Sequence, residues 1–169
     1  MVMYRDPLVQ LRESFEEARA LFETGKFDAA LRALEGIPER YQVNPDILEF
    51  RCHLYMSAQQ WALAANLAQR LTETTPGEPG HWISWAFAVR RLQSIEAAEK
   101  ILLAARAVHP ECATIHFNLA CYAAQTGRLP EAATHLQTAV RLEPAMAKQA
   151  GEDVDLAPLF QNPPAGFSL

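Results

Sequence analysis

A chain of 169 residues, half of them hydrophobic and 21% charged, is long enough to bury a core and too apolar to stay unfolded. Its net charge of −5 argues against a general nucleic-acid or anionic-membrane binder, because neutralising phosphates takes a surplus of lysine and arginine. Three cysteines, Cys52, Cys112 and Cys121, form no CxxC pair and fit thiols in a reducing compartment, not a disulfide frame.

The opening stretch MVMYRDPLVQL has no apolar run of signal-peptide length, and nothing in the chain approaches the roughly 18 apolar residues of a membrane span. The expected location is cytoplasmic, with no membrane insertion. Asp6 can cap a first helix with Pro7 at its first position, where the missing N–H costs nothing. That helix runs to about Thr24, with Leu8, Leu11, Phe15, Ala18 and Leu21 on its apolar face, and Gly25 ends it. A second helix from Phe27 to about Gly36 is cut short by Pro38, and residues 39–44 form a longer link.

The same alternation continues. Helices are predicted from Pro45 to Ser57, Trp61 to about Glu73, Gly80 to Leu92, and Ile95 to Val108. The turn PGEPG at 76–80 is rich in breakers and is the expected place for flexing. Between Ala113 and Pro144 two more amphipathic helices meet at Gly127. Leu119, Ala120 and Ala123 lie on the inner face of the first, and Ala132, Leu136 and Ala139 on that of the second. Gln59 and Gln93 occupy the positions that Gly25 and Gly127 hold in the outer pairs. Their turns either keep a left-handed backbone at about 1 kcal/mol or close differently. Beyond Pro144 the pattern breaks, and Met146, Leu156, Leu159 and Phe160 are expected to lie across the last apolar face as a cap, leaving 162–169 as a flexible tail.

Pro76, Pro110 and Pro144 recur every 34 residues, as do the small column Ala30, Ala64, Ala98, Ala132 and the large apolar column Phe27, Trp61, Ile95, Leu129. With Asn118, Leu119, Ala120 and Gly127 in the last unit, this spacing resembles the tetratricopeptide repeat (TPR). The resemblance implies an all-α, right-handed superhelix of four helix-turn-helix units starting near residues 11, 45, 79 and 113. Together with a C-terminal capping helix at 145–161, these make one domain over 6–161.

The resemblance also implies a role in holding a protein or peptide partner, with the first helix of each unit lining a concave groove. Carried onto this chain, the groove-facing positions are Arg12, Phe15, Arg19 and Phe22, then Glu49, His53 and Met56. They continue with Ile83, Phe87, Arg90 and Arg91, and end with Phe117, Cys121 and Gln125. Aromatic and aliphatic anchors beside arginines suit a partner with apolar and acidic side chains. The two-carboxylate clamp of TPR co-chaperones is a set of Lys, Asn, Asn, Lys and Arg. Its positions here hold Phe15, Arg19, Phe50, Gly80 and Ser84, or in the next register Glu49, His53, Ser84, Thr114 and Asn118. Neither register supplies the lysines, so a chaperone-tail co-chaperone is disfavoured.

Chemistry is sparse. Glu49 and His53 have the helical spacing of a metal-ligand pair but no third ligand accompanies them. His116 reads as an interhelix packing residue, Cys52 as a small core residue, and Trp61, Trp82 and Trp85 as helix-packing aromatics. No GxSxG, Walker-type loop or GxGxxG occurs, and the serines and cysteines lack a positioned base, so neither enzymatic activity nor a cofactor or metal is expected. Three roles fit this reading. One is a non-enzymatic adaptor. Another is a chaperone for a secreted substrate, similar in size and charge to small TPR secretion chaperones. The third is a cytoskeletal accessory similar to the bacterial kinesin light chains that accompany bacterial tubulins.

Overall fold

The expected helix signals act where the sequence places them. In the computed structural model, which describes residues 6–169, the Asp6 carboxylate accepts a hydrogen bond from Leu8 N at 2.9 Å and Pro7 opens α1 (Pro7–Glu23). Asn44 caps α3 (Pro45–Ser57) in the same way, accepting from Asp46 N at 2.9 Å. The remaining repeat helices are α2 (Phe27–Glu35), α4 (Trp61–Thr74), α5 (Pro79–Leu92), α6 (Ile95–Val108), α7 (Ala113–Gln125) and α8 (Leu129–Leu142). Residues 1–5, part of the stretch inspected for a signal peptide, lie outside the described residues. Among the described residues there is no strand.

Each pair packs through its small side chains. Ala30, Ala64, Ala98 and Ala132 are fully buried, and the facing column Ala18, Cys52, Ala86 and Ala120 is at most 2% exposed. With no bulk between them, the two backbones of a pair approach closely; Cys52 Sγ lies 3.7 Å from the Ala64 carbonyl. Consecutive pairs then stack into an α-solenoid, since one pair leaves an apolar face that only a neighbour can cover.

The turn inside each pair resolves the two glutamines differently. Gly25 and Gly127 have φ of 73° and 77°, and Gln59 follows them at 57°. All three close the same way, with Lys26 N, Gln60 N and Arg128 N reaching back to the carbonyls of Leu21, Tyr55 and Ala123 at 2.8–2.9 Å. Gln93 keeps φ at −128°, and Ser94 instead caps α6 through a 3.2 Å bond from Ala97 N. The third unit thus substitutes an N-cap for the left-handed residue.

The proline-rich turn between α4 and α5 is tied down. The Pro76 carbonyl accepts from Trp82 Nε1 at 3.4 Å and from His109 Nε2 at 2.9 Å, while Thr75 Oγ1 meets His81 Nδ1 at 2.9 Å. The thinnest seam lies earlier, between α2 and α3. Ala18, Ala30, Leu34, Ile37, Ile47 and Leu54 form a small cluster of their own, apart from the large core that runs from Ala64 to Leu159.

After Pro144 the chain forms α9 (Met146–Glu152), a 3-10 turn at Val154–Leu156, and α10 (Ala157–Gln161). Leu156 and Leu159 are fully buried and Met146 nearly so. Phe160, expected to cover the last face, is 39% exposed and meets the Phe167 ring at 6.1 Å. Residues 162–169 turn back along α8, where Gln137 Nε2 donates to the Ser168 carbonyl at 3.0 Å and Phe167 packs on the main core.

Candidate functional site

The first helices of successive pairs lie side by side, and their shared inner surface encloses an open groove of about 660 Å³. Of the sequence-predicted positions, Phe22, His53, Met56, Ile83, Phe87, Arg90, Arg91 and Cys121 line it. Arg19 and Glu49 are exposed on the same helices outside this cavity. Phe117 is 3% exposed, packed within α7's core contacts and out of a partner's reach. Gln125 is turned to the cap, donating to the Asp155 carbonyl at 2.9 Å. At the N-terminal end Arg12 pairs with Glu16 at 2.9 Å, and Phe15 packs edge-on against Phe50 with ring centroids 5.4 Å apart.

The centre of the groove is built on the last two turns of α5. Phe87, 39% exposed, meets the Trp61 ring edge-on at 5.9 Å, and the Arg91 guanidinium sits 5.3 Å from the Phe87 centroid and 5.9 Å from that of Trp61. Ring faces draw a cation by their quadrupole and hold it in place. Arg91 is exposed and makes no ion pair among the described residues. Arg90, beside it, is engaged within the chain. Its guanidinium donates to Asp155 Oδ2 at 2.6 Å and lies 5.2 Å from the Tyr122 ring centroid. Burial pushes the Tyr122 phenol up to about 12 against the opposing pull of Arg90.

Asp155 reaches this place because the cap leaves α8, turns at Asp153 and crosses α7. Asp153 Oδ1 accepts from Asp155 N at 2.9 Å, which fixes the turn, and Asp153 Oδ2 lies 4.0 Å from Cys121 Sγ. The C-terminal end of the groove is therefore walled by two carboxylates, of which Asp155 alone is paired with a cation among the described residues.

The two buried thiols, Cys52 and Cys121, are poor nucleophiles. Burial, with the Glu49 carboxylate nearby, pushes the Cys52 thiol up to about 11, and burial with the carboxylates of Asp153 and Asp155 pushes Cys121 still higher. His116 and His135 meet between α7 and α8 with their Nδ1 atoms 3.5 Å apart. The Pro110 carbonyl, 2.8 Å from His116 Nε2, can only accept, so His116 donates there. Burial, followed by the charges of Arg106 and His116, lowers the His135 pKa to about 4. His135 is thus held neutral in a packed contact between the two helices, the interhelix position expected for His116. Among the described residues no three His, Cys, Asp or Glu side chains are grouped to hold a metal ion, and no helix is long and apolar enough to cross a membrane.

Sequence reasoning missed Ser57, Trp61, Ser84, Asn118, Tyr122, Asp153 and Asp155 as groove residues. Trp61 opens α4, the second helix of its unit, so a rule confined to first helices passes over it; its step of 34 from Phe27 identifies it only as large and apolar. Asp155 lies where the repeat has already broken, and no spacing signal connects it to Arg90.

The chain is similar to several known repeat proteins. A sequence model described as tetratricopeptide repeat matches residues 15–79 and 85–147. Among solved structures, TTC0263, described as a thermophilic TPR protein in Thermus thermophilus, superposes with a TM-score of 0.68 at 21% identity, over 89% of this chain and 81% of that one. MamA from Desulfovibrio magneticus RS-1 gives a TM-score of 0.67 at 16% identity, over 85% of this chain and 81% of its own. Another MamA crystal structure gives 0.70 at 14%, over 90% and 81%. At these identities the likeness is one of fold. No curated protein matches the sequence. With the repeat matched over well over half of its length and its helix pairs stacked as that repeat requires, this chain belongs to the tetratricopeptide repeat family.

Proposed function

We propose that the protein is a non-enzymatic adaptor that holds a segment of a partner protein in its concave groove. TPR proteins are generally protein-interaction modules, and their fold is a scaffold without a chemistry of its own. The observation that carries the reading to this groove is its centre. An exposed Phe87 and an Arg91 without an ion pair among the described residues are held together over Trp61, and such aromatic and arginine anchors dominate binding energy at protein interfaces. Around them Phe22, Met56 and Ile83 supply apolar surface. The raised pKa values of the Cys52 and Cys121 thiols and the neutral, packed His135 support a binding role over a catalytic one.

The test compares affinity capture by the native chain, by Phe87→Ala with Arg91→Glu in the groove, and by Arg70→Glu on the exposed side of α4. A partner held by the native chain and by Arg70→Glu but lost by the groove variant supports the reading. A partner kept by a folded groove variant and lost by Arg70→Glu places binding on the outer surface instead.

A further inference from the structure

We propose that Asp155 sets how many carboxylates the groove can seat. By occupying Arg90 it leaves Arg91 as the anion seat, so the groove takes a segment bearing one carboxylate beside a large aromatic or aliphatic side chain. This rests on the groove being the binding face.

Arg90 and Arg91 are neighbours on α5, and both line the groove. In an empty TPR groove two adjacent guanidinium groups would favour a partner with two acidic residues. Here the first is already satisfied. Asp155 Oδ2 lies 2.6 Å from Arg90 Nη1, with both side chains mostly shielded from water at 23% and 28% exposure. The carboxylate is not a loose surface group that a ligand would push aside. Its own N–H is bonded to Asp153, its carbonyl accepts from Gln125, and the next residue, Leu156, is fully buried. Displacing it would uncover Leu156 and leave the Asp155 carboxylate without its cation, and both changes oppose binding.

Arg91 is in the opposite situation. Two rings position its guanidinium and no carboxylate of the described residues neutralises it. A carboxylate delivered there meets a cation already oriented, while an apolar neighbour in the same segment meets Phe87, Met56 and Ile83. A second carboxylate advancing towards Arg90 would face Asp153 and Asp155 and be repelled. The selectivity is thus built from one attractive and one repulsive element.

Fluorescein-labelled peptides of a Gly/Ser/Ala background carrying one Phe, with no, one or two flanking Asp residues, provide the probe. Their affinities are measured by anisotropy against the full native chain, Asp155→Asn and Arg91→Gln, each with its melting curve. The native chain should bind the one-Asp peptide about three- to fivefold more tightly than the peptide without Asp, and gain nothing from the second Asp. Arg91→Gln, an exposed position with little risk to folding, should abolish the first preference. Asp155→Asn, which keeps the side-chain shape, should bind the two-Asp peptide about threefold more tightly than the one-Asp peptide.

A native chain that prefers the two-Asp peptide, or an Asp155→Asn variant that ranks the peptides as the native chain does, overturns this inference while leaving the groove reading in place. Equal binding of all three peptides by the native chain and by Arg91→Gln overturns it as well. Peptide binding that survives Phe87→Ala unchanged removes the groove reading itself, and absence of binding to any of the three peptides overturns the stated partner chemistry.

Discussion

The first and last helix pairs share the same local construction and differ in what covers them. Both place fully buried alanines where their helices cross, Ala18 with Ala30 and Ala120 with Ala132, and both reverse at a left-handed glycine, Gly25 or Gly127. Yet α1 buries one of its 17 residues and α7 ten of its 13. Leu8 and Val9 on α1 are 59% and 48% exposed, whereas α7 is flanked by α5 and α6 on one side and by α8 and the cap on the other. The small columns and the turn therefore determine the shape of a pair, while neighbours determine how firmly it is held. In this chain the firm end is the one with the cap.

The largest test of that contrast is to remove residues 145–169 and make the two ends alike. Full burial of Leu156 and Leu159 contributes about 1.5–3 kcal/mol each, so the shortened chain should melt well below the intact one or associate through the uncovered α7 and α8. Melting followed by circular dichroism, with the association state from light scattering, reads this directly; an unchanged midpoint in a monomer ends the comparison.

Point substitutions divide the effect. Leu156→Ala should cost about 2–5 kcal/mol and Leu8→Ala no more than about 0.5 kcal/mol in urea unfolding, and equal costs would break the contrast.

Acid sharpens it in another way, because α1 and α2 carry no histidine while α7 and α8 enclose two. His135 has a folded pKa of about 4, below its unfolded value, so the unfolded state binds the extra proton. The stability this neutral ring contributes is fully present above about pH 6.5 and is lost as pH falls towards 4, on the order of 2 kcal/mol. Arg106 and Arg128 oppose the added proton and Glu131 favours it. The difference in stability between the native chain and His135→Leu should therefore change across that window. If the two curves stay parallel, the histidine pair is not an acid-sensitive contact.

The smallest effect concerns the turns. Gln59→Gly should stabilise by up to about 0.5 kcal/mol, since it relieves a left-handed side chain at some entropic cost, whereas Gln93→Gly should destabilise by a similar amount. Thermal midpoints that rise for both substitutions would contradict the separate closure of the third unit.

The repeat made most of the fold legible. Its columns place all eight paired helices to within a residue or two, and the turn glycines, the cap at Asp6 and the alanine crossings follow from local chemistry. The groove was legible to the extent that it is periodic. Met56, Phe87 and Arg91 line it because equivalent positions on stacked first helices must face one way. Its C-terminal wall was not. The Arg90–Asp155 pair depends on a chain reversal at Asp153 after the repeat has ended, and such a contact is set by the particular packing of Leu156 and Leu159 and by no recurring spacing. Phe117 fails for a related reason. It shares its repeat position with Ile83, which lines the groove, but its own ring is 3% exposed within the core.

One wall of the groove stands on the least covered helix. Phe22 lies on α1, held by the Phe27 and Phe50 rings at 5.7 Å each, within the small cluster that is separate from the main core. Local opening of α1 and α2 would take that wall away without disturbing Phe87 or Arg91, so this end of the groove is assembled only for the fraction of time that the first pair is docked. An occupant touching Phe22 is then thermodynamically linked to that docking: it slows amide exchange along α1, far from the stable end, by a factor that rises with its concentration relative to its dissociation constant.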